Sequence, residues 1–150
     1  MQGMFFEDYE IGQVIVTPGA TITEAQIVEF ALHYDPQPFH LDKGAAEQSI
    51  YGGLIASGWQ VGSLAFRLVT MTNILKDTSL GSPGLDELRW PRPVRPGDTI
   101  HVELTVEEKR PSRSKPDRGI VLIAYAVKNQ EDETVMTLKA LQLVKRRPSA

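Results

Sequence analysis

No cysteine occurs anywhere in the 150 residues, which removes disulfides, thiolate nucleophiles and cysteine-built zinc sites in one step. Charge of one sign is equally scarce. Sixteen Lys and Arg stand against nineteen Asp and Glu, a net of −3, with the two signs interspersed. That balance supplies no broad basic field for nucleic acid and no acidic tail of the kind that stays disordered, so a small ligand is expected. The opening MQGMFFEDYEIG is acidic where a secretory leader needs a basic stretch before an apolar run, and a cytoplasmic protein is therefore expected. There is no internal repeat, low-complexity run or linker. The length suits one domain over residues 1–150, large enough for one core and too small for two.

What the chain does have is a helical first half and a strand-rich second half. QVIVTPG reads as a short strand ended by Pro18 and Gly19. In TITEAQIVEFALHYDP, Thr23 and Gln26 have capping-box spacing, and Ile27, Phe30, Ala31 and Tyr34 fall on one helical face. Pro36 disfavours helical geometry at Asp35, so the helix should stop there. Asp42 is placed to cap a further short turn through KGAAEQS. The run GGLIASGWQVGSLAFRLVTMTN has Arg67 as its one charge and must be buried by protein or by lipid. At about 20 residues it could span a bilayer, but no second span follows and no basic anchor flanks it. It is expected to be a central helix, with Gly58, Gly62 and Ala65 forming a small-residue stripe against which strands pack.

TIHVELTVE alternates, with Ile100, Val102, Leu104 and Val106 on one face. GIVLIAYAV, apolar on both faces, suits a central strand; TVMTLKALQLV is the last long strand and ELRW a shorter one. PVRPGD is a tight connection. The expected fold is α+β: a mostly antiparallel, curled sheet wrapped around one long central helix, the hot-dog architecture. Its unpaired sheet edge predicts self-association as a homodimer or higher homo-oligomer.

The chemistry concentrates in YDPQPFHLD, residues 34–42. Asp35 and His40 lie at most ~16 to 18 Å apart in an extended chain, so the two meet only if the backbone turns, and Pro36 and Pro38 can hold such a turn. A carboxylate beside an imidazole is a minimal kit for moving a proton near neutral pH. Loop punctuation is the competing reading, because Asp before Pro is common at helix ends. His33, Asp35, His40 and Asp42 also present two imidazoles and two carboxylates, a set able to hold iron or zinc. Their spacing follows no H-E-x-x-H pattern and His33 belongs to the preceding helix, so no metal is expected. A second element is YGGLIASG, where Gly52 and Gly53 would open the central helix and offer N–H groups to a developing oxyanion.

These stretches, FALHYDPQPFHLDKGAAEQSIYGGLIASG and RWPRPVRPGDTIHVELTV, together resemble the MaoC-like dehydratases and (R)-specific enoyl-CoA hydratases, which are hot-dog proteins with the pattern D-x-N-P-x-H-x-D followed by a glycine pair. The resemblance covers nearly the whole chain. It implies that Asp35 and His40 are the catalytic pair, that Pro38 and Asp42 frame it, that Gly52 and Gly53 form the oxyanion-binding turn, and that Ser57 stands near the substrate. Gln37 replaces the usual Asn, a departure expected to alter an orienting hydrogen bond. The implied reaction is reversible hydration of an enoyl thioester, or dehydration of a 3-hydroxyacyl thioester, on coenzyme A or an acyl carrier, with no cofactor beyond the coenzyme A of the substrate. An acyl-CoA thioesterase and a non-catalytic acyl-CoA sensor are the rival readings.

Three further features stay open at this level. Arg110, Arg113, Lys115 and Arg118 in KRPSRSKPDR either meet nucleotide phosphates or form a solvated hairpin loop. Phe39, Trp59 and Phe66 either line an acyl tunnel or belong to the core. Lys145, Arg146 and Arg147 read as a polar tail.

Overall fold

A computed structural model describes residues 2–149; the expected domain ends at Met1 and Ala150 lie outside the described residues. After a 3₁₀ turn at Phe6–Asp8, the chain forms β1 (Val14–Val16), β2 (Ala20–Thr21), α1 (Glu24–Tyr34), α2 (Pro38–Leu41), α3 (Lys43–Gln48) and α4 (Gly58–Met71). It continues as β3 (Leu85–Arg89), β4 (Thr99–Pro111), β5 (Arg118–Lys128) and β6 (Thr134–Lys145).

The strands form one antiparallel sheet in the order β1-β4-β5-β6-β3, with β2 pairing to a different part of β4. A register shift between Val106 and Glu108 interrupts the β4–β5 ladder, and an extra residue on one strand bends it and increases its twist. The alternation of β4 is borne out: Ile100, Val102, Leu104 and Val106 are all buried on the face that carries α4. β5 lies between β4 and β6, as its apolar sequence requires.

The core sits between this concave face and α4, where Val61, Ala65, Leu68 and Val69 meet Val102, Leu104, Val121 and Val127. The small-residue stripe works as expected at Gly62, where a Cβ would come within 3.2 Å of the Met136 side chain on β6. The helix differs from expectation in two respects. It begins at Gly58, not at Gly52, because the Ile55 and Ala56 N–H groups are spent on the Phe39 and Val94 carbonyls. It is also covered on one side only: Trp59 is 62% exposed and Phe66 is half exposed, on the side that carries the exposed Ser63, Arg67 and Thr70.

The two chain ends are tied together. Arg146 pairs with Glu7 at 3.0 Å and Arg147 with Asp8 at 2.5 Å, while the Lys109 ammonium donates to the Phe6 and Tyr9 carbonyls. Arg146 and Arg147, expected to be a solvated tail, therefore clamp the 3₁₀ turn. Among the described residues no helix is long and apolar enough to cross a membrane.

Candidate active site

α1 starts where its capping box predicts, with the Gln26 N–H donating to Thr23 Oγ1 and the Thr23 N–H to Gln26 Oε1. It ends at Asp35, whose N–H closes the last turn on the Ala31 carbonyl and whose ψ of 69° turns the chain out of the helix ahead of Pro36. The segment that follows is not irregular, as its prolines suggest. Pro38 occupies the first position of α2, where a fixed φ suits a helix and the missing N–H is not needed. One turn of helix thus carries His40 back toward Asp35. Asp42 then ends α2 and caps α3, accepting from the Ala45 N–H at 3.1 Å.

His40 is 3% exposed and held at both ring nitrogens. Nδ1 lies 2.7 Å from the Ile55 carbonyl, and Nε2 lies 3.1 Å from Asp35 Oδ2. A carbonyl only accepts, so Nδ1 carries a proton. That leaves Nε2 as the ring nitrogen that faces the Asp35 carboxylate.

Asp35 is fixed as tightly. The Ser57 hydroxyl donates to Oδ2 at 2.7 Å and the Gln37 amide to Oδ1 at 2.6 Å. Partial burial pushes the carboxyl up; the hydrogen bonds from Ser57 and Gln37 and the imidazole of His40 together outweigh that, and Asp35 titrates below its ordinary value. Gln37, expected to shift an orienting hydrogen bond, itself makes one to the Asp35 carboxylate.

The segment bearing Ile55 and Ser57 is pinned on two sides: the Ile55 N–H donates to the Phe39 carbonyl at 3.2 Å and the Ala56 N–H to the Val94 carbonyl at 2.8 Å. Ser57 is the N-cap of α4, yet its hydroxyl does not cap the helix; it is committed to Asp35. Gly52 spends its N–H on the Ser49 carbonyl and adopts a φ of +65°, a turn role that suits glycine. The Gly53 N–H has no acceptor among the described residues. The sequence expectation of two oxyanion glycines at a helix start thus resolves into a turn glycine, a glycine with a free N–H, and a helix start five residues further on.

Asp35 and His40 open into a cavity of about 470 Å³ walled by Phe39, Tyr51, Trp59, Val61, Trp90 and Val94. This is the size and character of a small-molecule site, apolar with a few convergent polar groups. Phe39 and Trp59 belong to it, whereas Phe66 does not. Trp90 packs so closely on Gly58 that a Cβ there would lie 2.5 Å from the indole, and its ring N–H donates to the Gly58 carbonyl at 3.1 Å. None of Arg110, Arg113, Lys115 and Arg118 lines this cavity.

Of the four residues weighed as metal ligands, only Asp35 and His40 converge; His33 turns back on its own helix, with Nδ1 2.9 Å from the Glu29 carbonyl. A separate His101, Glu103 and Asp132 group has ligand-like proximity. The Lys128 ammonium lies 3.1 Å from Glu103 and 3.5 Å from Asp132, which makes that group an ion-pair network. A hollow of about 440 Å³ on the outer sheet face, lined by Glu87, Arg89 and Lys139, holds no such reactive pair.

A curled antiparallel sheet around a central helix defines a hot-dog protein, here with a carboxylate and an imidazole facing an apolar cavity at the helix start. The chain belongs to the MaoC-like domain family, whose sequence profile matches residues 7–127. It is similar to a MaoC-like dehydratase from Rhodospirillum rubrum at 41% identity, covering 98% of this chain and all of that one, with a TM-score of 0.87. An R-hydratase from Pseudomonas aeruginosa is 29% identical over 98% of this chain and 88% of its own, with a TM-score of 0.73. The mesaconyl-CoA hydratase of Cereibacter sphaeroides is 33% identical over 99% of this chain, which spans only 43% of that protein.

Proposed function

We propose that the protein is a hydro-lyase that adds water reversibly to the double bond of an enoyl thioester, giving a 3-hydroxyacyl thioester on coenzyme A or an acyl carrier. The single observation that carries this reading is the Asp35–His40 pair, 3.1 Å apart and opening into an apolar cavity. The hydratase and dehydratase relatives lend it support at the level of the reaction class.

In this reading a water lies in the cavity against both Asp35 and His40. The Asp35 carboxylate takes a proton from the water as its oxygen bonds to the β-carbon. The electron pair of the double bond moves toward the thioester carbonyl, whose oxygen takes up negative charge and is met by the first N–H groups of α4, where Gly58 lines the cavity and the expected Gly52 and Gly53 do not. The His40 imidazolium then delivers its Nε2 proton to the α-carbon. Asp35 now holds one proton more and His40 one fewer, and transfer across the Oδ2–Nε2 contact resets the pair. Ser57 and Gln37 hold the carboxylate in place throughout.

Loss of enoyl absorbance from crotonyl-CoA, followed with a thiol reagent in a parallel sample, tests the assignment. Hydration removes the absorbance and releases no free thiol. Thiol release in step with turnover identifies a thioesterase, and thermal stabilisation by acyl-CoA without turnover identifies a binding module. The uncovered side of α4 and the outer edges of β1 and β3 fit self-association in solution, for which light scattering at a dimer mass or above is the check.

A further inference from the structure

We infer that Trp90 is a specificity-determining residue that limits the substrate to short acyl chains, an assignment that rests on the hydratase reading and deepens it. Trp90 lines the same cavity as Asp35 and His40. Besides the imidazole, four aromatic rings wall that cavity in two edge-to-face pairs: Phe39 with Tyr51, 5.2 Å between ring centres, and Trp59 with Trp90, 5.5 Å. Phe39 also stands 4.6 Å from the His40 ring, so the first pair flanks the imidazole. The second pair is mounted on the start of α4.

A wall sets a limit only if it cannot retreat. The Trp90 ring N–H donates to the Gly58 carbonyl at 3.1 Å. The indole also fills the space beside Gly58, where a Cβ would meet it at 2.5 Å, so the ring is already seated against the backbone of α4. Along its own chain Trp90 follows β3, whose Arg89 pairs with Thr137 of β6, and precedes Pro91, whose ring restricts the backbone of the residue before it. A longer acyl chain in this part of the cavity would have to drive the indole off α4. The cavity, about 470 Å³, lies toward the small end of the ~300–1,000 Å³ range of small-molecule sites, and it must take the thioester and a water as well as the chain.

The chemistry of this wall suits hydrocarbon. The one polar atom of the Trp90 side chain is spent on Gly58. Pro91 and Pro93, which continue the wall, have no N–H to give. The Val94 carbonyl is taken by the Ala56 N–H at 2.8 Å, and the Arg92 guanidinium is drawn to Glu133 at 2.8 Å. The pantetheine arm of a thioester carries amides that need partners when they leave water, whereas an acyl chain needs none. Residues 90–94 therefore match the acyl end of the substrate, and Trp90 is the largest side chain among them.

The test compares wild type, Trp90→Ala and Trp90→Phe on crotonyl-CoA, octenoyl-CoA and dodecenoyl-CoA, followed by loss of enoyl absorbance. Wild type should show its highest kcat/KM on crotonyl-CoA and its lowest on dodecenoyl-CoA. Trp90→Ala should raise the ratio of dodecenoyl to crotonyl kcat/KM by at least about 10-fold, the scale on which a hydrophobic pocket senses one methylene. Trp90→Phe, a smaller ring without the N–H, should raise it less, and it decides the matter if the alanine variant does not fold. Wild-type ratios in both variants overturn the proposal. An equal fall on all three esters also overturns it, since that pattern belongs to a residue that only supports the fold or meets the pantetheine arm, and so does a wild type that favours dodecenoyl-CoA. A wild-type protein that hydrates none of the three overturns the parent reading and this one with it, an outcome distinct from an active wild type whose variants keep its ratios.

Discussion

The Ser57 hydroxyl and the His40 imidazole meet on the same oxygen of Asp35, at 2.7 and 3.1 Å. A serine at a helix N-cap ordinarily binds the helix's own amides; here α4 forgoes that bond and its start is fastened to the carboxylate instead. Replacing Ser57 by Ala removes a hydrogen bond to a charged group, a loss of about 1.5–3 kcal/mol. On the proposed reaction kcat should fall about 10- to 100-fold. Steady-state kinetics on crotonyl-CoA measure this, and an unchanged kcat would show that Oδ2 needs no second donor.

Asp35→Asn and His40→Ala should each lower turnover by about 10² to 10⁴-fold. Their stabilities should diverge. Asp35→Asn keeps the shape and part of the hydrogen bonding, whereas His40→Ala strands the Ile55 carbonyl in a buried position and should cost about 1–3 kcal/mol. Denaturant unfolding of the two variants separates the catalytic effect from the structural one, and folded variants that match wild-type turnover would sink the assignment.

The direction of the Asp35 shift fixes the sign of the acid dependence. Because its folded-state value is depressed, the carboxylate's stabilisation is complete above the unfolded-state value and is lost as pH falls through the folded one. The acid limb of kcat/KM should accordingly lie below the ordinary carboxylate range. Gln37→Ala removes one of the hydrogen bonds responsible and should move that limb upward. A limb that stays in place in this variant would mean that the Gln37 amide does not hold the working form of the site.

Gly58→Ala tests the wall of the cavity. The added methyl group would meet the Trp90 indole at 2.5 Å, and overpacking of this kind costs about 1–3 kcal/mol. Trp90 must move, so tryptophan emission should change together with KM. Unaltered emission and melting temperature would show that the indole has room to yield.

Much of this arrangement was legible in the sequence because it is encoded locally. The Thr23 and Gln26 capping box, the stop at Asp35 and the two-residue alternation from Ile100 to Val106 each depend on neighbours within a few positions. For Asp35 and His40 the local residues left loop punctuation open, and it was the family resemblance that implied the pair; Pro38, read as holding a turn, starts a helix. What stayed hidden depends on distant backbone. Nothing in an apolar stretch marks where its amides begin to bond to one another, so the start of α4 was placed at Gly52 when the Ile55 and Ala56 amides bond to Phe39 and Val94 instead. The same holds for the uncovered side of α4: composition records that Trp59 and Phe66 are apolar, not which of them the sheet reaches.

The Ile55 carbonyl has a stereochemical consequence. By engaging Nδ1 it keeps the imidazole from flipping and leaves Nε2, beside Asp35, as the one nitrogen able to exchange a proton with a bound acyl chain. On the proposed reaction, oxygen and hydrogen are then supplied from a single side of the planar double bond. Hydration of crotonyl-CoA in deuterated water should set the deuterium at the α-carbon and the new hydroxyl on the same face, and the coupling between the α and β protons of the product reads that geometry directly.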